Sequence, residues 1–334
     1  MKKTFLAATA ALALLASCSK YAEEITATAS GSIVTVTLKD KTPQTRAFFD
    51  AAAAAESWEK KINTLTLFVF DANDNAVLRR NFTASEIAGQ SATVPVPDAV
   101  AGNVYRFCVI ANGGTIAQIA TFSELCDKTE GEAAAYNGTF DEVTAKAKRA
   151  GGFTMSGMAT KAIAQKGQTT SVEVSLERIV AKVAVQAATD SKFAAAYPGR
   201  VRIDNTTISR AASAAHYLKD VCTGGAFSHT QTAKEQTGKY GNLFYIYGNE
   251  NSQQAVLLTL EGIYDNDGNF STTADQMPVT YEVELSGDTG KAIARNTYRR
   301  VTVNISGLTG TDIAVTITPA DWEGFYNQDI TIGM

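Results

Sequence analysis

Val34-Thr35-Val36-Thr37-Leu38 alternates apolar and polar residues without a break, and Ile313-Ala314-Val315-Thr316-Ile317 repeats the pattern near the other end of the chain. A period of two sends successive side chains to opposite faces, so each run reads as a strand with one face buried. The same reading extends to residues 65–70, 93–96, 104–111 and 171–176. In the second half it takes in 179–185, 201–208, 255–260, 279–285 and 298–305. Turn residues such as Asp265-Asn266-Asp267-Gly268-Asn269 separate the runs. Short, regularly punctuated strands of this kind predict antiparallel sheets packed as sandwiches. Ala- and Glu-rich helical composition is confined to 47–61, 115–128 and 132–148. The expectation is an all-β chain of two β-sandwiches in series, meeting near residue 180, with minor helices.

The length of 334 residues suits two cores of ordinary size. With 45% hydrophobic and 19% charged residues, the composition excludes collagen-like, coiled-coil and wholly disordered chains. A net charge of −4 carries no basic excess, which argues against a nucleic-acid partner. Two His and four Cys are little raw material for a soft-metal site.

The leader is more specific. Lys2 and Lys3 precede a short apolar stretch, 5–16, too short to span a bilayer and therefore a secretory signal. It ends in Leu15-Ala16-Ser17-Cys18, which resembles a bacterial lipobox. On that reading 1–17 is a signal peptide and Cys18 carries acyl chains that hold the precursor to a membrane. Cys108, Cys126 and Cys222 remain, an odd number. Cys108 either packs as a small hydrophobe or pairs with Cys126.

Catalytic motifs are missing: no G-x-S-x-G, H-E-x-x-H, P-loop or G-x-G-x-x-G occurs. His216 and His229 read as solvated loop residues. Asp71-Ala72-Asn73-Asp74-Asn75 has a calcium-loop rhythm but carries Ala76 and Phe82 where Gly and Glu belong, so it reads as a hairpin turn. Asp265, Asp267 and Asn269 read likewise as a turn before a cation site. Tyr245, Tyr247 and Trp322 read as core rather than a sugar platform. Neither an enzyme nor a cofactor is expected.

Several blocks together resemble the fimbrillin family, the pilins that build the shafts of type V pili in Bacteroidales. They are Thr64-Leu65-Thr66-Leu67-Phe68-Val69-Phe70-Asp71, Val109-Ile110-Ala111-Asn112 and Phe153-Thr154-Met155-Ser156-Gly157. The most specific is Val174-Ser175-Leu176-Glu177-Arg178-Ile179-Val180-Ala181-Lys182-Val183. Arg295-Asn296-Thr297-Tyr298 and Asp321-Trp322 follow in order.

The resemblance implies two transthyretin-like sandwiches, 47–180 and 181–334, behind a propeptide, 18–46. It also implies cutting between Arg46 and Ala47 by an arginine-specific protease at the cell surface. The precursor would be an outer-membrane lipoprotein, and the mature form would sit in an extracellular fimbrium with copies of itself and other fimbrial subunits, supporting adhesion. A physical role for the cut follows from the sequence. A guarding strand carrying Val34, Val36 and Leu38 would leave, and a donor strand carrying Ile330, Ile332 and Met334 from another chain would replace it. The alternatives are a tip or anchor subunit and a surface glycan-binding lipoprotein.

Overall fold

Strands form where Val, Ile, Thr and aromatic residues cluster, because branched and ring side chains pack well on a pleated surface. The computed structural model describes residues 32–38, 55–88, 91–96, 99–164, 169–220, 222–249, 254–285, 293–322 and 326–333. Its strands begin with β1 Ser32–Leu38, β2 Leu65–Phe70, β3 Ala76–Asn81, β4 Ser91–Val96, β5 Val104–Ala111 and β6 Thr129–Glu130. They continue with β7 Met155–Ala162, β8 Thr169–Arg178, β9 Val180–Thr189, β10 Arg200–His216, β11 Cys222–Thr232 and β12 Lys234–Gln236. The last are β13 Lys239–Tyr247, β14 Val256–Asp265, β15 Gln276–Leu285, β16 Thr297–Ile305, β17 Ile313–Asp321 and β18 Tyr326–Gly333.

The first sheet has the order β3-β2-β5-β7-β8-β18-β1-β4, antiparallel throughout. β7 meets β8 through two residue pairs, Met155↔Arg178 and Ser156↔Glu177. Gly157 follows directly. A Cβ there would stand 1.9 Å from the Ser175 carbonyl oxygen, so only glycine lets the strands cross this closely. The two halves close on Leu67, Val69, Val94, Phe107, Val109, Val172, Val174 and Leu176. β2 is buried along its whole length. Its other face, with Phe68 and Phe70, lies under Ile116, Ile119, Leu125 and Tyr217.

The second unit stacks the sheet β11-β10-β14-β15, joined by β6 along β10, on the sheet β12-β13-β9-β16-β17. β9 and β16 run parallel, a departure from the all-antiparallel expectation that the long connection between them permits. Val183, Val185, Phe244, Leu258, Tyr281, Val301 and Val303 fill this core.

Among the described residues helices are shorter than their composition suggested, because alanine favours helix without supplying an apolar stripe to bury; residues 47–54 of the stretch expected at 47–61 lie outside the described residues. The described helices are α1 Ser57–Lys60, α2 Ala84–Ala88, α3 Phe122–Cys126, α4 Phe140–Ala145 and α5 Ser191–Ala196. The stretch expected at 132–148 breaks into a 3-10 turn, Ala133–Tyr136, and α4. Between them Thr139 caps α4, with Glu142 completing a capping box. Among the described residues no helix is long and apolar enough to cross a membrane. One placement departs from the sequence reading. The C-terminal strand, assigned there to the second unit, is β18 and pairs in the first sheet.

Candidate assembly site

β1 and β18 lie side by side in the first sheet. Val34 stands opposite Ile332 on one side and Val94 on the other, and Val36 opposite Ile330 and Ala92. β18 continues the rows into β8, pairing Ile332 with Thr170 and Ile330 with Val172. The outer members of these rows, Thr170, Val172, Val94 and Ala92, are all buried. Leu38 faces Gln328. Among the described residues, β1 is the strand that ties β4 into the sheet, and β18, like β1, has partners on both edges. The guarding and donor strands, read from the sequence as rivals for one slot, are neighbours in this chain. Cys18, Arg46, Ala47 and Met334 lie outside the described residues.

A second feature escaped the sequence reading. Glu59 on α1 is fully buried. Its Oε1 meets Lys182 Nζ at 2.8 Å and accepts the Tyr245 hydroxyl at 2.5 Å. Its Oε2 accepts Trp322 Nε1 at 3.3 Å and the Glu56 amide at 2.7 Å, and its carbonyl accepts Arg178 Nε at 2.8 Å. Arg178 also donates to Asn296 Oδ1 at 3.1 Å and lies 4.2 Å over the Trp322 ring. Burial pushes the Glu59 carboxyl up, but the Lys182 ammonium, the Tyr245 hydroxyl and the Arg178 guanidinium together hold it below its ordinary value. Burial and the Glu59 charge push Tyr245 well above the usual phenol range. Asn296 sits at φ +55°, where Asn is among the better-tolerated residues. The visible signal is two cations flanking the apolar run Ile179-Val180-Ala181, with Arg178 at the end of β8 and Lys182 on β9. Their partner Glu59 carries no local signature in Ser57-Trp58-Glu59-Lys60.

Beside this cluster Glu130 accepts from Tyr136 at 2.6 Å, Tyr247 at 2.9 Å and Thr154 at 2.6 Å, and pairs with Arg149 at 3.0 Å. Asn112, at φ +57°, takes the amides of Asn63 and Thr64 and donates to the Lys61 and Phe153 carbonyls. The motif blocks quoted from the sequence thus converge on the seam between the two units. Tyr245, Tyr247 and Trp322 are at most 1% exposed, so they are core, as read.

His216 and His229 lie on β10 and β11 rather than in loops, half-buried, against the carbonyls of Cys126 and Gly138. Cys108 and Cys126 are buried free thiols. Asp71 closes the β2–β3 turn by accepting the Asn73 and Asn75 amides. Asp265 and Asp267 likewise hold the Asn269 amide in the β14–β15 turn.

A family model described as major fimbrial subunit protein (FimA) matches residues 32–198. No curated protein matches the sequence. Among solved structures, the chain is similar to a fimbrilin from Porphyromonas gingivalis W83, with a TM-score of 0.57 at 16% identity, covering 88% of this chain and 98% of that one. A putative cell adhesion protein from Parabacteroides distasonis gives 0.56 at 14% identity, covering 87% and 97%. The tip fimbrial protein Mfa3 from Porphyromonas gingivalis gives 0.52 at 13% identity, covering 87% and 100%. At these identities the likeness is one of fold.

Proposed function

The chain belongs to the major fimbrial subunit family, and on that premise we propose that it is a structural subunit of an adhesive surface fimbria that polymerises by donor-strand exchange. Membership implies a surface or extracellular location and assembly with other fimbrial subunits. The exchange reading rests on one observation, the place of β1 inside the first sheet between β18 and β4. Cutting between Arg46 and Ala47 separates β1 from the body. β4 then loses its described ladder partner, and β18 loses the six residue pairs it makes with β1. The gap exposes backbone donors and acceptors beside the buried rows at Val94 and Ala92, and an alternating strand from a second copy re-pairs the edge of β4.

Each aliphatic side chain buried by that strand contributes about 1.5–3 kcal/mol, and each ladder hydrogen bond adds about 0.5–1.5 kcal/mol net. Since donor and acceptor are different parts of the molecule, the contact does not close on itself and propagates as a filament. Acylation at Cys18 delivers the precursor to the outer membrane, and the cut releases the mature chain from that anchor.

The sheet order adds a condition. In the uncut chain β18 is paired on both edges, so its own donor strand is occupied. One cut opens the acceptor gap and frees one edge of the donor. Glycan capture draws no support from Tyr245, Tyr247 and Trp322, which are buried. The test is to treat the full chain with an arginine-specific protease, sequence the product's N-terminus and image it. Ala47 at the N-terminus together with filaments is expected. Filaments from uncut Arg46→Ala protein would overturn the reading.

A further inference from the structure

The buried Glu59 cluster gathers side chains from five places in the chain, and two of them adjoin the segments that strand exchange sets in motion. Glu59 lies on α1, the first described element after the expected cut. Trp322 is the last described residue before β18, and its amide donates to the Asn296 carbonyl at 3.3 Å. The remaining members are fixed in the body: Arg178 ends β8, Lys182 lies on β9 and Tyr245 on β13. Trp322 is held from three sides, by Glu59 Oε2 at 3.3 Å, by Arg178 at 4.2 Å over its ring, and by Tyr245 stacked at 5.8 Å. Phe153 closes its edge at 5.8 Å. This is an ion-paired, hydrogen-bonded site with no exposed member, so its partners strengthen and rigidify one another.

We propose that Glu59, Lys182, Arg178, Tyr245 and Trp322 form a shared anchor for the roots of both exchanging termini. The inference rests on the exchange reading above. Once β1 is gone, β18 is held to its own sheet by β8 alone and peels away. Without a fixed root, that peeling continues into β17, whose one described ladder partner is β16. The anchor stops it at Trp322. In a filament, tension enters the subunit through the strand accepted beside β4 and leaves through its own C-terminal strand. The anchor is where that outgoing strand is tied to α1, β8, β9 and β13. Arg178, Lys182, Tyr245 and Trp322 are therefore positioning residues, acting on strands they do not belong to.

Amide hydrogen exchange on the full chain tests this, before and after cutting with an arginine-specific protease, at a dilution where sedimentation shows monomers. In the unsubstituted protein, cutting is expected to speed exchange in β18 and β4 by about tenfold or more and to leave β17 within about twofold. In Trp322→Phe, cutting is expected to speed β17 and α1 as well, by about tenfold, while the uncut variant keeps β17 near its original rate. Tyr245→Phe removes a single hydrogen bond to Glu59 and is expected to give the same selective effect in smaller measure. It serves in place of Trp322→Phe if that variant does not fold. Two outcomes overturn the anchor: β17 responding to the cut as in the unsubstituted protein, or β17 loosened equally before and after cutting, which marks an ordinary core contact. Unchanged β18 in the cut, unsubstituted protein overturns the exchange reading instead, so the two failures are told apart.

Discussion

Glu59 shows how one side chain is held by competing forces. Burial alone would neutralise it, yet Lys182, Tyr245 and Arg178 keep it ionised below its ordinary range. Removing one partner of a buried pair leaves the other charge without compensation, at a cost of about 3–5 kcal/mol. Glu59→Gln is expected to lose stability on that scale in urea unfolding, since Lys182 is only 3% exposed. The sign of the pH effect follows from a carboxyl whose folded value is depressed. Its contribution is complete above the ordinary value near 4.5 and is lost as pH falls through the lower folded value. Thermal melts between pH 7 and the acid limit should therefore fall more steeply for the unsubstituted chain than for Glu59→Gln. A parallel pair of curves would show that Glu59 does not drive the acid limb. Gly157 presents the opposite constraint, a lack of room. A Cβ 1.9 Å from the Ser175 carbonyl forces β7 and β8 apart, so Gly157→Ala should lose at least about 1–3 kcal/mol. Gly225→Ala, on β11 with nothing within 4 Å, should be close to neutral in the same melts.

At the scale of elements, β1 is a sheet strand and, on the exchange reading, a removable part. Thr35 pairs with Thr93 on β4, and directly opposed antiparallel residues approach within disulfide reach. Thr35→Cys with Thr93→Cys should tether the cut strand to its groove. Oxidised and cut, this protein is expected to stay monomeric by light scattering and to form filaments when a reductant is added. Filaments before reduction would show that the groove beside β4 is not the acceptor. The alternation that exposes β1 to a reader of the sequence also exposes β15 and β16. It misses β11, where Thr, Gly and Ser dominate Cys222–Thr232 and, among the described side chains, Phe227 is the one hydrophobic in the buried core. It misses β13 for the opposite reason, since a strand buried along nearly its whole length loses its period. That β1 and β18 end as neighbours was beyond local pattern, because strand order is set by which rows bury together. The same limit hid Glu59, whose partners Lys182, Tyr245 and Trp322 are remote in sequence.

For the whole molecule, the question is which ends of a growing filament each form can occupy. A cut subunit lacking residues 329–334 still has its groove open and no complete strand to give. It should accept one donor and stop growth at that end. Mixed in equal amounts with cut, complete subunits, it is expected to shorten filaments severalfold in electron micrographs, since an open heterologous series ends wherever a link is missing. The uncut Arg46→Ala chain looks at first like its mirror image, a subunit with a tail but no groove. The sheet order argues otherwise. Its β18 is held by β8 on one edge and by β1 on the other, and β1 still fills the place beside β4. Both functions are closed by the same strand, so this chain should neither accept nor donate. Added in equal amounts, it is expected to leave filament length unchanged. Shortening by the uncut chain would mean that the tail leaves while β1 is still in place, and that the cut opens the acceptor without governing the donor.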